Sequence, residues 1–260
     1  FYKQSGHGLY ADVIHELDAG IGTVLDTLRE LNLDERTLVL FTSDNGPWFG
    51  GHTAGLRGMK GETWDGGLRV PGIVRWPGRI PAGQTLDAPC GTIDVLPTVL
   101  AAAGVPLPEG RLLDGVNVLP YLAGGQPPQE RPLYAMRGNR LLSVRRGQYK
   151  LHIAAPRGSM LSQFRDRPLD WIDPRGPDGV TILAPYEQVR PDSYPGLLTG
   201  DAARDMMLFD LQQDPGEQQD VAAEHPEVVR RLTADYNSAV ETFPTALQDE
   251  NRPRPLPGSP

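Results

Sequence analysis

The chain has 260 residues, a net charge of −8 and a hydrophobic content of 39%. That length supports one large domain, or a medium one with a smaller partner, and the acidic balance argues against a phosphate backbone as partner. Cys90 is the single cysteine, which excludes an intrachain disulfide, and no apolar run reaches the roughly 20 residues of a membrane span.

The chain opens at Phe1, already close to a helical pattern, and is expected to be a fragment. Over 9–31, Val13, Ile14, Leu17, Ile21, Val24, Leu25, Leu28 and Leu31 recur at spacings of three and four, which predicts an amphipathic helix. The run 37–42 is short, apolar and without alternation, the pattern of a strand buried on both faces. Strands are also expected at 70–76 and 86–92. A helix is expected over 95–103, with Asp94 as N-cap, Pro97 in its first turn and Gly104 ending it. Helix and buried strand in alternation indicate an α/β sheet.

The composition changes at Gly124-Gly125-Gln126-Pro127-Pro128, which sets a boundary between residues 1–125 and a smaller α+β unit over 126–245. In the smaller unit, 133–136, 140–145, 149–153 and 207–211 read as strands, and the turn signals Gly138-Asn139 and Arg146-Gly147 suggest an antiparallel meander. Residues 155–200 read as a long surface loop, 226–242 as a helix, and 246–260 as a disordered Pro-rich tail.

Two constellations can carry chemistry. Asp44-Asn45 follows the 37–42 strand, at the kind of strand end where open α/β sheets collect ligands. A carboxylate beside an amide oxygen offers hard donors that suit Ca²⁺ or Mg²⁺ better than Zn²⁺, although two residues cannot fill a calcium shell of about 6 to 8 oxygens. Asn45-Gly46 is equally a common turn dipeptide. The second constellation is Lys60 within Gly58-Met59-Lys60-Gly61. There the glycines would let the backbone approach an anion that the ammonium meets; a solvated surface Lys is the plain alternative. His52 lies between the two motifs, at a possible substrate edge. Ligand, acid and surface roles stay open for His7, His52 and His152.

In order, Tyr10 to Asp18, Thr42-Ser43-Asp44-Asn45-Gly46-Pro47, Gly58-Met59-Lys60-Gly61 and Trp64-Asp65-Gly66-Gly67-Leu68-Arg69-Val70-Pro71 resemble the sulfatase family of the alkaline-phosphatase-like superfamily. Its arylsulfatase A-like branch is the nearest match. The segments Thr92 to Thr98, Arg145 to Leu151, Leu208 to Glu217 and Glu224 to Val229 look like later parts of the same family. The resemblance implies a mixed or parallel sheet flanked by helices, its N-terminal half missing here, followed by a small antiparallel sheet with a helix. It implies hydrolysis of a sulfate ester, small-molecule or carbohydrate, with Asp44 and Asn45 as Ca²⁺ ligands (Mg²⁺ less so) and Lys60 contacting the sulfate or the leaving oxygen.

The family's formylglycine nucleophile arises from Cys or Ser in a Cys/Ser-x-Pro/Ala-x-Arg motif. Cys90, followed by Gly91-Thr92-Ile93-Asp94, does not fit it, so the nucleophile is expected upstream and the 260 residues alone are expected to be inactive. Asp65 stands where the family usually has Glu. A periplasmic, secreted or lysosomal setting is implied by the resemblance only. Two rivals stay open: a metal-dependent phosphatase or phosphodiesterase of the same superfamily, whose members typically place His where this chain has Asn45, and a non-catalytic binding module.

Overall fold

The computed structural model describes residues 1–47, 52–156, 171–172, 182–184, 200–252 and 254–255. They fall into two compact units: residues 1–14, 44–70 and 131–260 form one, and residues 15–43 and 71–130 the other.

The first unit is built on a four-stranded antiparallel sheet of β3 (Leu133–Arg137), β4 (Arg140–Arg146), β5 (Tyr149–His152) and β8 (Met207–Asp210), in the order β3-β4-β5-β8. The expected meander is present, with Gly138 at positive φ in the β3–β4 turn and Gly147 likewise between β4 and β5. Alternation along the strands sends Val144, Leu151 and Leu208 to one face, where they meet α5 (Pro226–Glu241). Val228, Val229, Leu232, Tyr236 and Val240 form the facing stripe, and each such side chain fully buried contributes about 1.5–3 kcal/mol. Pro226 opens the helix, where its missing N–H costs no hydrogen bond. The opposite sheet face presents Ser143, Arg145, Lys150, His152, Met207 and Phe209, and is covered by the Gly-rich segment around Trp64.

The tail departs from expectation at its start. Thr245–Gln248 forms a turn of helix, α6, and Asn251 is buried. Its amide donates to the carbonyls of Asn139 and Leu247 and its oxygen accepts Leu141 N–H, so the chain closes over the β3–β4 turn. Within the long loop, β6 (Trp171–Ile172) and β7 (Ile182–Ala184) form an antiparallel pair.

In the second unit, β1 (Val39–Thr42) pairs with β2 (Gly72–Arg75) in antiparallel register from Val39↔Arg75 to Thr42↔Gly72. A parallel or mixed sheet is the expectation; among the described residues the pair is antiparallel and stands alone. With no second layer described over it, β1 alternates half-buried and exposed residues instead of being buried on both faces. Arg75 forks onto both oxygens of Asp34 at 2.7 Å, and Trp76 donates to Glu35 O, which ties the strand end to the turn after the long helix. Residues 86–92 form no strand. Asp94 accepts Gly91 N–H and Val116 N–H at 2.8 Å, which bends that segment into a turn before α3 (Val95–Ala103). Asp94 therefore makes no side-chain cap to α3 itself, while Gly104 at φ 68 ends the helix as expected.

Helix α1 (Leu9–Glu30) ends within one residue of the expected bound; of the expected apolar stripe, Ile21, Leu25 and Leu28 are half-buried while Val13, Ile14, Leu17, Val24 and Leu31 are exposed. Its one buried residue is Asp12, whose carboxylate accepts Lys3 N–H at 2.6 Å and Ser5 N–H at 2.8 Å. The remaining short helices are α2 (Asp65–Leu68) and α4 (Leu119–Leu122). No helix among the described residues is long and apolar enough to cross a membrane.

Candidate functional site

Two backbone contacts join the two motifs singled out in the sequence. Gly46 N–H donates to Gly67 O at 2.9 Å, and Lys60 N–H donates to Pro47 O at 2.9 Å. The Asp44-Asn45 turn and the Lys60 segment, separate in sequence, are thus laced side by side. Only glycine permits this approach: a Cβ on Gly46 would lie 1.9 Å from Gly66 O, and one on Gly66 would lie 2.5 Å from Arg57 O. Asp44 and Lys60 are exposed and Asn45 is half-buried. His52 is exposed, and its Nδ1 accepts Ala54 N–H at 2.7 Å, an interaction that shapes the turn in which Ala54 holds a positive φ. His7 is exposed at the N-terminal turn. Trp48 to Gly51 lie outside the described residues.

Beneath the Lys60 segment is an ion network that motif reading missed. Asp65, Lys150, His152 and Glu217 are all buried. Lys150 Nζ donates to Asp65 Oδ1 at 2.7 Å and lies 2.9 Å from Glu217 Oε1. His152 Nε2 lies 2.8 Å from the same Oε1, while Glu217 Oε2 accepts Asp65 N–H at 2.6 Å. Arg145 approaches Asp65 at 3.6 Å, and Arg57 donates to the carbonyls of Glu217 and Asp201. The Arg57 guanidinium stacks 3.9 Å over the Trp64 ring, and that indole in turn packs against His152 and Phe209. A signal for part of this cluster was present in the sequence. Lys150 and His152 alternate with Leu151 and Ile153, so two polar side chains share one face of a central strand. Nothing local marked Glu217, 152 positions from Asp65.

Burial works to raise the Glu217 carboxyl, but the Lys150 charge, the His152 hydrogen bond and Asp65 N–H hold it down to about 2. Burial pushes His152 below its ordinary value; its hydrogen bond to Glu217 opposes this and the Lys150 charge reinforces it, so the ring is neutral at pH 7. Both groups act in one direction on acidification. The unfolded chain binds a proton at His152 near the ordinary value of 6.5, and at Glu217 near 4.5, before the folded chain does. Stability is therefore expected to fall from pH 6.5 downward and more steeply between 4.5 and about 2. Denaturant midpoints measured from pH 7 to pH 3 check this, and a flat profile contradicts it.

The Asp44 carboxylate and the Asn45 amide oxygen suit a hard divalent cation and, lacking imidazole or thiolate, not zinc. Among the described residues no group of three or more His, Cys, Asp or Glu could hold a metal ion, so this pair can supply only part of a shell. What the structure shows is a braced backbone that carries the Lys60 segment alongside the Asp44-Asn45 turn.

Comparison with known proteins follows the same residues. The sequence pattern described as Sulfatase matches residues 2–105. N-acetylgalactosamine-6-sulfatase of Canis lupus familiaris is 34% identical over 242 residues, covering 90% of this chain and 43% of that protein. Arylsulfatase A of Homo sapiens is 35% identical over 246 residues, covering 89% of this chain and 43% of that protein. A solved structure described under the metabolism of multiple glycosaminoglycans by Bacteroides thetaiotaomicron shares 29% identity at a TM-score of 0.65, covering 92% of this chain and 46% of that one. The chain thus spans a little under half the length of the relatives it matches.

Proposed function

Because this chain belongs to the sulfatase family, we propose that it supplies one part of the active site of a sulfuric ester hydrolase. Asp44 and Asn45 would hold Ca²⁺ through their side-chain oxygens, with further ligands from the part of the relatives' length that this chain does not span. The nucleophile, a formylglycine, is assigned to that same part. Calcium at this pair would supply positive charge to the sulfate oxygens. Lys60 adds a compact, flexible positive charge to the same oxygens, where preorganised charge favours the transition state over the ground state. A sulfated sugar is the substrate class to test first, since the canine relative is named for N-acetylgalactosamine-6-sulfate chemistry and the solved relative for glycosaminoglycan metabolism.

The observation that supports this reading most is the lacing of the Asp44-Asn45 turn to the Lys60 segment through Pro47 O and Gly67 O. In the complete enzyme, Lys60→Ala is expected to lower kcat by about 10²–10³, the typical loss for one preorganised charge-stabilising group. Steady-state kinetics on a sulfate ester, with metal analysis of the same preparation, test it. Wild-type turnover in the variant refutes the role of Lys60, and stoichiometric zinc in place of calcium redirects the assignment to phosphate ester chemistry.

A further inference from the structure

Glu217 binds the Lys60 segment at two points. Its side chain accepts Asp65 N–H at 2.6 Å, and its carbonyl accepts the Arg57 guanidinium at 2.8 Å. Between those points runs the segment that carries Lys60, closed on itself by Gly66 N–H to Arg57 O at 2.8 Å and Gly67 N–H to Trp64 O at 2.9 Å. Gly67 O and Lys60 N–H then grip the Asp44-Asn45 turn. Glu217 also sits at φ 52, a left-handed conformation that a residue with a Cβ rarely adopts. Apolar packing could seal this sheet face at least as well for stability as buried charges do. Strain, buried charge and a two-point grip on the segment next to the candidate ligands coincide at one residue.

We infer that Glu217 is a positioning residue, with Lys150 as its counter-ion: it fixes the Lys60 segment against the Asp44-Asn45 turn, so that anion binding and cation binding are set together. This rests on the proposed sulfatase reading of the site. The test is Glu217→Gln in the complete enzyme, which keeps an oxygen to accept Asp65 N–H but leaves Lys150 without its second carboxylate. Calcium affinity, measured by equilibrium dialysis, is expected to weaken about 10-fold or more, as for the loss of other groups that orient metal ligands. kcat per folded molecule is expected to fall by a similar factor, with KM changing less. Where Glu217→Gln fails to fold, Lys150→Arg keeps the charge, moves the donor and is expected to shift both quantities in the same direction.

A lower melting temperature with wild-type calcium affinity and wild-type kcat would leave Glu217 a structural residue only and overturn the inference. Asp44→Ala and Lys60→Ala, run in parallel, separate the two levels. If neither alters calcium binding or turnover, the reading of the site fails. If both do and Glu217→Gln does not, the positioning inference alone fails.

Discussion

Replacing Lys150 by Met is expected to be the most destabilising single change in the sheet. Lys150 is 1% exposed and is the cation between Asp65 Oδ1 at 2.7 Å and Glu217 Oε1 at 2.9 Å. Without it two carboxylates share a buried site with Arg145, 3.6 Å from Asp65, as the nearest remaining ion pair. Breaking a buried ion pair by removing one partner costs about 3–5 kcal/mol, because the remaining charge keeps its desolvation penalty and loses its compensation. The Lys150→Met, Glu217→Gln double variant is expected to recover part of that loss, since it removes one charge of each sign. Denaturant unfolding of both variants measures the effect. A single-variant loss under about 1 kcal/mol would show that the network contributes little, because that is the scale of an exposed pair.

The second large effect is expected at Gly46. An added methyl group meets Gly66 O at 1.9 Å and the carbonyl carbons of Gly66 and Gly67 at 2.8 and 2.9 Å, all of them backbone atoms that cannot rotate away. Gly46→Ala must therefore push the turn off the Gly66-Gly67 segment and break the Gly46 N–H to Gly67 O hydrogen bond. Overpacking of this kind costs about 1–3 kcal/mol, and the lost hydrogen bond adds about 1 kcal/mol. The consequence for chemistry is greater than for stability, since Asp44 and Asn45 move with the turn. Amide hydrogen exchange at Gly46 reads the contact directly: protection is expected to disappear, and unchanged protection would show that the turn absorbs the methyl group.

Local rules carried much of the fold. The three-and-four spacing of α1, the turn glycines of the β3–β4–β5 meander and the Val228, Val229, Leu232, Tyr236 stripe of α5 each stand where their patterns put them. What those rules cannot supply is the partner of a surface. The spacing of Val13, Ile14, Leu17, Ile21, Val24, Leu25 and Leu28 defines a stripe on α1 but not what packs on it, and among the described residues four of these seven are exposed, three are half-buried and Asp12 is buried. Residues 86–92 have strand-like composition, yet Asp94 draws the Gly91 N–H into a turn. At the candidate site, Asp44, Asn45 and Lys60 stood out because their types and neighbours suggest oxygen ligation and anion contact. The network below them was not, because its members are joined across 85 and 152 positions of sequence. Asp65 read as a shortened version of an acidic position, whereas its carboxylate holds Lys150 and its N–H binds Glu217.

That network also limits how this protein can change over generations. Asp65, Lys150 and Glu217 occupy three distant stretches of the gene, yet the Lys150 ammonium is the counter-charge to both carboxylates. A neutral replacement of Lys150 strands two carboxylates in the interior, so that single step is costly even where a matched replacement of 150 and 217 would be tolerated. Drift at position 150 must pass through a compensating change. A library that randomises 150 by itself should return mostly the parent residue, while one that varies 150 and 217 together opens alternatives that no one-at-a-time walk reaches.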